Sequence, residues 1–203
     1  SNTALAVGAK IDYQKIKTVN PYTGESVTVV IAKDLAGKYF PEENKEISFE
    51  DFKTGSKKVP FEVLNEYKGK ELSDVRYEQL LPYQQPEDGD AFRVIIGDFV
   101  TTEDGTGIVH IAPSFGADDM RVAKQNGIGS LTLVNKKGQF IEEAGEFANR
   151  FVKKAYDKTI PEDQHEVDVD IVVKLKKEGK LFFSEKYEHS YPHCWRTDKP
   201  VLY

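Results

Sequence analysis

One imidazole and two carboxylates fall close together in this chain, at His110, Asp118 and Asp119. They sit in the run Gly105-Thr106-Gly107-Ile108-Val109-His110-Ile111-Ala112-Pro113-Ser114-Phe115-Gly116-Ala117-Asp118-Asp119, which continues to Gly127. A carboxylate fixed near an imidazole can hold a cation, pass a proton or orient a water. The bland reading uses the same residues. Acids in the first turn of a helix complement its dipole, and a lone histidine in a strand is usually a packed or surface residue.

The elements that must position these groups follow from the same run. Asp104-Gly105 is a turn pair. The β-branched Ile108, Val109 and Ile111 favour a strand. Pro113 ends it, because proline has no N–H for a ladder. Ser114, Phe115 and Gly116 form a short loop, and a helix begins near Ala117. Gly127 stops that helix, since glycine tolerates the left-handed cap conformation. His110 therefore lies on a strand, and the aspartates lie where free backbone N–H groups and the positive end of the dipole emerge.

The run resembles the editing domain inserted in isoleucyl-tRNA synthetases. That pattern is Gly-Thr-Gly, a hydrophobic pair, His, any residue, Ala-Pro, then Gly-x-(Asp/Glu)-Asp opening a helix. Gly105-Thr106-Gly107, His110, Ala112-Pro113 and Gly116-Ala117-Asp118-Asp119 fill it. A second match is Tyr191-Pro192-His193-Cys194-Trp195-Arg196, similar to the segment where the family's insert returns to the synthetase body. The resemblance covers essentially the whole chain. Valyl- and leucyl-type editing domains are the near rival. They carry other residues where His110 stands and lack the second run.

The resemblance implies a function and a division of labour. The domain would hydrolyse the aminoacyl ester of valine wrongly attached to the 3′ end of isoleucine tRNA. Asp119 aligns with the family's key acid and would hold the substrate's ammonium group. His110 would line the side-chain pocket and help to exclude isoleucine. Thr106, Gly107, Ala112, Pro113, Ser114, Phe115, Gly116 and Asp118 would shape the pocket and contact the adenosine. Water is the expected nucleophile, helped by the substrate's own hydroxyl, with no covalent intermediate, metal or cofactor in this domain. ATP would be used by the parent enzyme's catalytic domain, whose motifs are missing here. The family's threonine-rich pocket wall would lie just upstream of Ser1. The chain therefore reads as an excised domain, weakly active or inactive alone, whose partners are the tRNA end and the rest of the synthetase. The rival of another class is a non-catalytic module that binds the tRNA end.

Bulk composition sets outer limits. The chain has 203 residues, 39% of them hydrophobic, enough for one domain with a proper core. Thirty-four acids against 28 bases give a formal charge of −6, so phosphate contacts to a nucleic acid would come largely from outside the chain. The single cysteine, Cys194, excludes an internal disulfide and suits a reducing cytoplasm. No run reaches the roughly 18 apolar residues of a membrane helix, and the start does not read as a signal peptide.

Along the chain, residues 4–8 and 11–19 read as strands, and 11–31 as a hairpin through Asn20-Pro21-Tyr22-Thr23-Gly24. A short helix over 33–40 follows. Residues 41–85 read as a peripheral excursion, with a strand at 59–67. Residues 92–101 are strongly β and are expected to form a hairpin with 108–111 across Glu103-Asp104-Gly105-Thr106. Another strand is expected at 131–134, helices at 147–158 and 163–178, a strand opening at Leu181, and an exit segment over 184–203. The order implies a mainly β fold with peripheral helices, an α+β domain, and with the resemblance a β-barrel-like core. His189, His193 and Cys194 are too few for a structural zinc site, and Cys194 lacks a base to make it a nucleophile. The bland reading of that segment packs Tyr191 and Trp195 on the core. The lysine pairs read as solvated surface.

Overall fold

The computed structural model describes residues 2–186 and 192–202. Two three-stranded sheets form its centre. The first contains β1 (Ala4–Val7), β5 (Arg93–Ile96) and β6 (Ile108–Ile111), in the order β5-β1-β6. The second contains β2 (Asp12–Val19), β3 (Ser26–Ala32) and β4 (Phe61–Lys68), in the order β3-β2-β4. Three helices accompany them: α1 (Lys33–Tyr39), α2 (Ala117–Gln125) and α3 (Val167–Lys177).

Side-chain alternation along the strands sorts the core into layers. On one face of the first sheet, Ala4, Ala6, Ile95 and Ile111 pack with Val122 and Ala123 of α2. On its other face, Val7 and Ile108 meet Tyr13 and Ala32 of the second sheet. The far face of the second sheet carries Ile16, Ile31 and Phe61, and is covered by Ala36 of α1, Phe40, Phe49 and Phe182. The result is mainly β with helices at the outside, as expected. The two sheets stay separate among the described residues, and no closed barrel forms.

The expected hairpin between 92–101 and 108–111 does not form. β1 lies between them, pairing parallel with β5 (Leu5 opposite Val94) and antiparallel with β6 (Leu5 opposite His110). The small Ala4 and Ala6 suit this central place, where they are fully buried. A parallel pair needs a long crossover. Here that crossover, residues 8–92, contains the whole second sheet. Segment 41–85, expected as an excursion, is tied into it: β4 pairs along β2, and Val59 and Phe61 are buried.

The expected strand at 131–134 is irregular, with one bridge from Val134 to Phe140. The expected helix at 147–158 is replaced by short turns over 142–147 and 154–156. Its apolar residues serve cross-chain pairing instead. Asn149 N–H donates to Phe140 O and Val152 N–H to Gly138 O, with Asn149 at a positive φ of 63°. Leu181-Phe182-Phe183 opens no strand; Phe182 packs against the second sheet as loop. In the exit segment Cys194 N–H donates to Lys199 O and Val201 N–H to Pro192 O, a narrow fold-back. Trp195 is 86% exposed there rather than packed on the core. Its neighbour Arg196 stacks over its ring at 4.7 Å. Tyr191 and His189 lie outside the described residues.

One buried hydroxyl joins the sheets. Tyr13 Oη donates to Gly107 O at 2.6 Å and accepts from Gly8 N–H at 3.0 Å. Burial pushes its pKa up, against the opposing effect of the Gly8 N–H. Tyr13→Phe keeps the ring and strands two buried backbone groups. At about 1–3 kcal/mol for each of the two unsatisfied groups, we expect a loss of about 2–6 kcal/mol in chemical denaturation. An unchanged midpoint would show that water replaces the hydroxyl.

Candidate functional site

The Ala112–Asp119 turn is held together by its own backbone. Phe115 N–H donates to Ala112 O at 2.8 Å, closing a tight turn just after β6. Gly116 then takes the N-cap position of α2 in extended conformation. A methyl group on Gly116 would come within 2.9 Å of Asp119 Cγ, so the missing side chain leaves room for the carboxylate. At the far end of α2, Gly127 (φ 66°) closes the helix as expected, with Ile128 N–H donating to Ala123 O.

Asp119 is the third helical residue and is half-buried. Its Oδ2 accepts the Ala112 N–H at 2.8 Å, linking helix to strand end. Among the described residues, Oδ1 has no hydrogen-bond donor. The carboxylate thus has one oxygen fixed and one free, near the N–H groups that open α2. Asp118 points elsewhere. It pairs with Arg121 at 3.4 Å, and Arg121 reaches Asp98 at 3.1 Å on the exposed side. The Arg121 guanidinium holds the Asp98 carboxyl below the usual carboxylate range.

His110 is exposed. It shares a face with Ile108, which the second sheet covers, while Val109 and Ile111 face α2. His110 therefore projects from the face opposite the helix, beyond the cover of the second sheet. The register turns the Ile111 carbonyl inward, where it accepts Thr3 N–H, and the Ala112 N–H outward to Asp119. β6 is an outer strand, so its edge beside His110 is open among the described residues. A ligand that touches both Asp119 and His110 must lie across this edge.

The remaining expected residues divide between two places. Ala112, Pro113, Ser114, Phe115 and Gly116 make the turn itself. Ser114 Oγ accepts from Thr132 Oγ1 at 2.6 Å and donates to Leu131 O at 3.3 Å. Thr106 and Gly107 sit at the other end of β6, about 16 Å from Ala112 at the usual strand rise. They serve the junction of the sheets: Ala32 N–H donates to Thr106 O, and Gly107 O accepts from Tyr13. Gly107 has φ 71°, and a methyl group there would meet Ala32 Cβ at 2.4 Å. This glycine answers to backbone conformation and close packing.

The structure adds two residues that no motif suggested. Asn2 accepts from Tyr77 Oη at 2.7 Å and donates to Ala4 O at 2.7 Å. Thr3 is fully buried beside Ile111, and among the described residues its hydroxyl has no partner. The β1–β6 pairing sets Thr3 against the end of β6, and neither residue type announces its place.

Elsewhere, the Cys194 thiol is held below its ordinary value, chiefly by the Thr197 hydroxyl and then by the N–H groups of Arg196 and Thr197. No group of three or more His, Cys, Asp or Glu converges among the described residues. No helix there is long and apolar enough to cross a membrane.

No protein-family model matches the chain. Individual proteins do. It is 54% identical to the isoleucine–tRNA ligase of Cytophaga hutchinsonii over 224 residues, covering 100% of this chain and 20% of that protein. It is 50% identical to the ligase of Bacteroides fragilis over 229 residues, and 46% identical to that of Porphyromonas gingivalis over 230, with the same coverage. The chain spans about a fifth of the length of these curated relatives. Along its full length it is homologous to one segment of the isoleucine–tRNA ligases.

Proposed function

We propose that this chain is the proofreading segment of an isoleucine–tRNA ligase, and that it hydrolyses the ester joining a wrongly attached valine to the terminal ribose of tRNA. The need is energetic. A pocket for isoleucine gains only about 1–3 kcal/mol over valine from one methylene, a limit for which the isoleucyl enzyme is itself the standard illustration. A second, smaller site that hydrolyses what fits supplies the remainder.

The observation that carries the reading is the half-occupied Asp119 carboxylate at the opening of α2. Its fixed oxygen sets the orientation. Its free oxygen can take the α-ammonium of the aminoacyl ester in a charge-assisted hydrogen bond. His110, on the open side of β6, would bound the space for the amino-acid side chain. Water attacks the ester carbonyl, the ribose oxygen leaves, and the adjacent ribose hydroxyl assists the proton transfer. The chain's residues position and exclude; none forms a covalent intermediate. Amino-acid activation and its ATP belong to parts of the ligase beyond this segment. Its setting is the cytoplasm, where tRNA is charged.

The direct test is binding of a non-hydrolysable valyl-amide of adenosine, compared with its N-acetylated twin, by calorimetry on the intact ligase with its synthetic site blocked. Acetylation removes the cation and little else. Hydrogen bonds to charged groups contribute about 1.5–3 kcal/mol, so the acetylated compound should bind at least tenfold more weakly. Equal affinities would remove Asp119 as the ammonium anchor. A module that only binds the tRNA end would show no Asp119-dependent hydrolysis of valyl-tRNA in the intact ligase.

A further inference from the structure

Beside the Ala112–Asp119 turn lies a hollow of about 430 Å³. That is the size range of small-ligand sites. Phe115, two residues after Pro113 in the turn, forms part of its wall, with Lys136, Lys137, Tyr156, Lys199 and Pro200. The composition is unusual for a chain of charge −6: among the described residues three lysines line the hollow and no carboxylate does. The back wall is fixed. Lys199 Nζ donates to Tyr156 O at 3.0 Å, and Tyr156 Oη donates to Pro200 O at 2.8 Å. The front is not. Lys136 and Lys137 are exposed, and among the described residues neither ammonium has a hydrogen-bond or ion-pair partner. Their backbone is nonetheless ordered by the Asn135 side chain, which accepts from Lys137 N–H at 2.9 Å. Asp157, the acid that feels Lys199, is turned to Thr159 and lies outside the lining.

We infer that this hollow seats a nucleotide of the single-stranded RNA end just before the terminal adenosine, with Lys136 and Lys137 on its phosphate and Phe115 against its base. The inference rests on the reading of Asp119 as the ester site. Phe115 closes the turn that Asp119 ties down and also lines the hollow, so the proposed ester site and the hollow share one turn. Two exposed ammonium groups meet a phosphodiester without sequence preference. An aromatic face meets a splayed base in the usual manner of single-strand recognition.

The test uses the intact ligase that carries this segment and valine-mischarged tRNA. Lys136→Ala with Lys137→Ala should raise KM for deacylation about tenfold and change kcat less than twofold. The slope of log KM against log salt should flatten by about 1.4, near 0.7 for each lost contact to a single strand. Lys136→Arg with Lys137→Arg should restore both. Phe115→Leu should raise KM at least fivefold, with no change in the salt slope. Unchanged KM and slope in the double alanine variant would overturn the inference. So would a double variant that lowers thermal stability or tRNA-free amino-acid activation, because that result marks the hollow as a seat for the rest of the polypeptide. Failure of the Asp119 reading is visible separately. There, Asp119→Asn would leave deacylation intact while the lysine variants still weakened binding of an uncharged tRNA.

Discussion

Replacing Asp119 with asparagine in the intact ligase should slow hydrolysis of valyl-tRNA by at least a hundredfold and leave isoleucine activation unchanged. The size follows from what the side chain does in each reading. Asparagine keeps an acceptor for the Ala112 N–H, so the link from α2 to the end of β6 survives. It removes the negative charge that would hold the substrate's ammonium group. A charge-assisted contact realised in the transition state is worth several kcal/mol, and each 1.36 kcal/mol is tenfold in rate. Asp119→Ala is the less informative variant. It also leaves the Ala112 N–H without its acceptor, so it should cost about 1–3 kcal/mol in stability besides activity. The pair separates structure from chemistry. If the asparagine variant edits normally and only the alanine variant is impaired, Asp119 is a helix-to-strand clasp and the proofreading assignment loses its anchor.

That ambiguity was already present in the sequence. An acid in the first turn of a helix has an ordinary structural use, and spacing alone does not show where its second oxygen points. Local chemistry was legible wherever the deciding forces were local. The 108–111 strand, the break at Pro113, the start of α2 and the left-handed Gly127 cap all follow from near neighbours, and all form. So does the β2–β3 hairpin through Asn20 and Gly24. The pairing of β5 and β6 was not legible. Both segments are apolar and adjacent in sequence, and a hairpin between them breaks no local rule. What decides is β1, about ninety residues earlier, whose alanines fill the central place. The same long-range pairing sets Thr3 against the end of β6, while the extended strand itself keeps Thr106 and Gly107 away from the Asp119 turn. The resemblance grouped Thr106, Gly107 and Asp119 by motif. The fold places them at opposite ends of one short strand.

A similar logic explains the missing helix at 147–158. Phe147, Phe151 and Ala155 have helical spacing. Yet Asn149 adopts a positive φ, and its neighbours pair with 138–140. A compact loop buries Phe147 and Val152 instead and leaves Ala155 exposed, with Gly138 and Gly145 at positive φ in its turns. Gly138 and Tyr156, at the two ends of this stretch, line the basic hollow beside Phe115.

The second large effect concerns what the site rejects. His110→Ala should make the intact ligase cleave correctly charged isoleucyl-tRNA at least tenfold faster, with valyl-tRNA cleavage within about threefold of normal. The argument is steric. A hydrophobic space discriminates one methylene by about 1–3 kcal/mol, equivalent to roughly 10–200-fold. Removing an imidazole from the boundary frees more volume than that methylene needs. The change should not disturb the fold, since His110 is exposed and surface substitutions usually fall within about 0.5 kcal/mol. Among the described residues β6 is an outer strand of its sheet, and His110 is exposed on it. Two outcomes would sink this role. If isoleucyl-tRNA stays uncleaved, the imidazole does not bound the pocket. If cleavage of both esters falls together by a hundredfold or more, His110 acts on the attacking water, and size selection must come from elsewhere. Thermal melting of the variant alongside wild type distinguishes either result from a loss of structure.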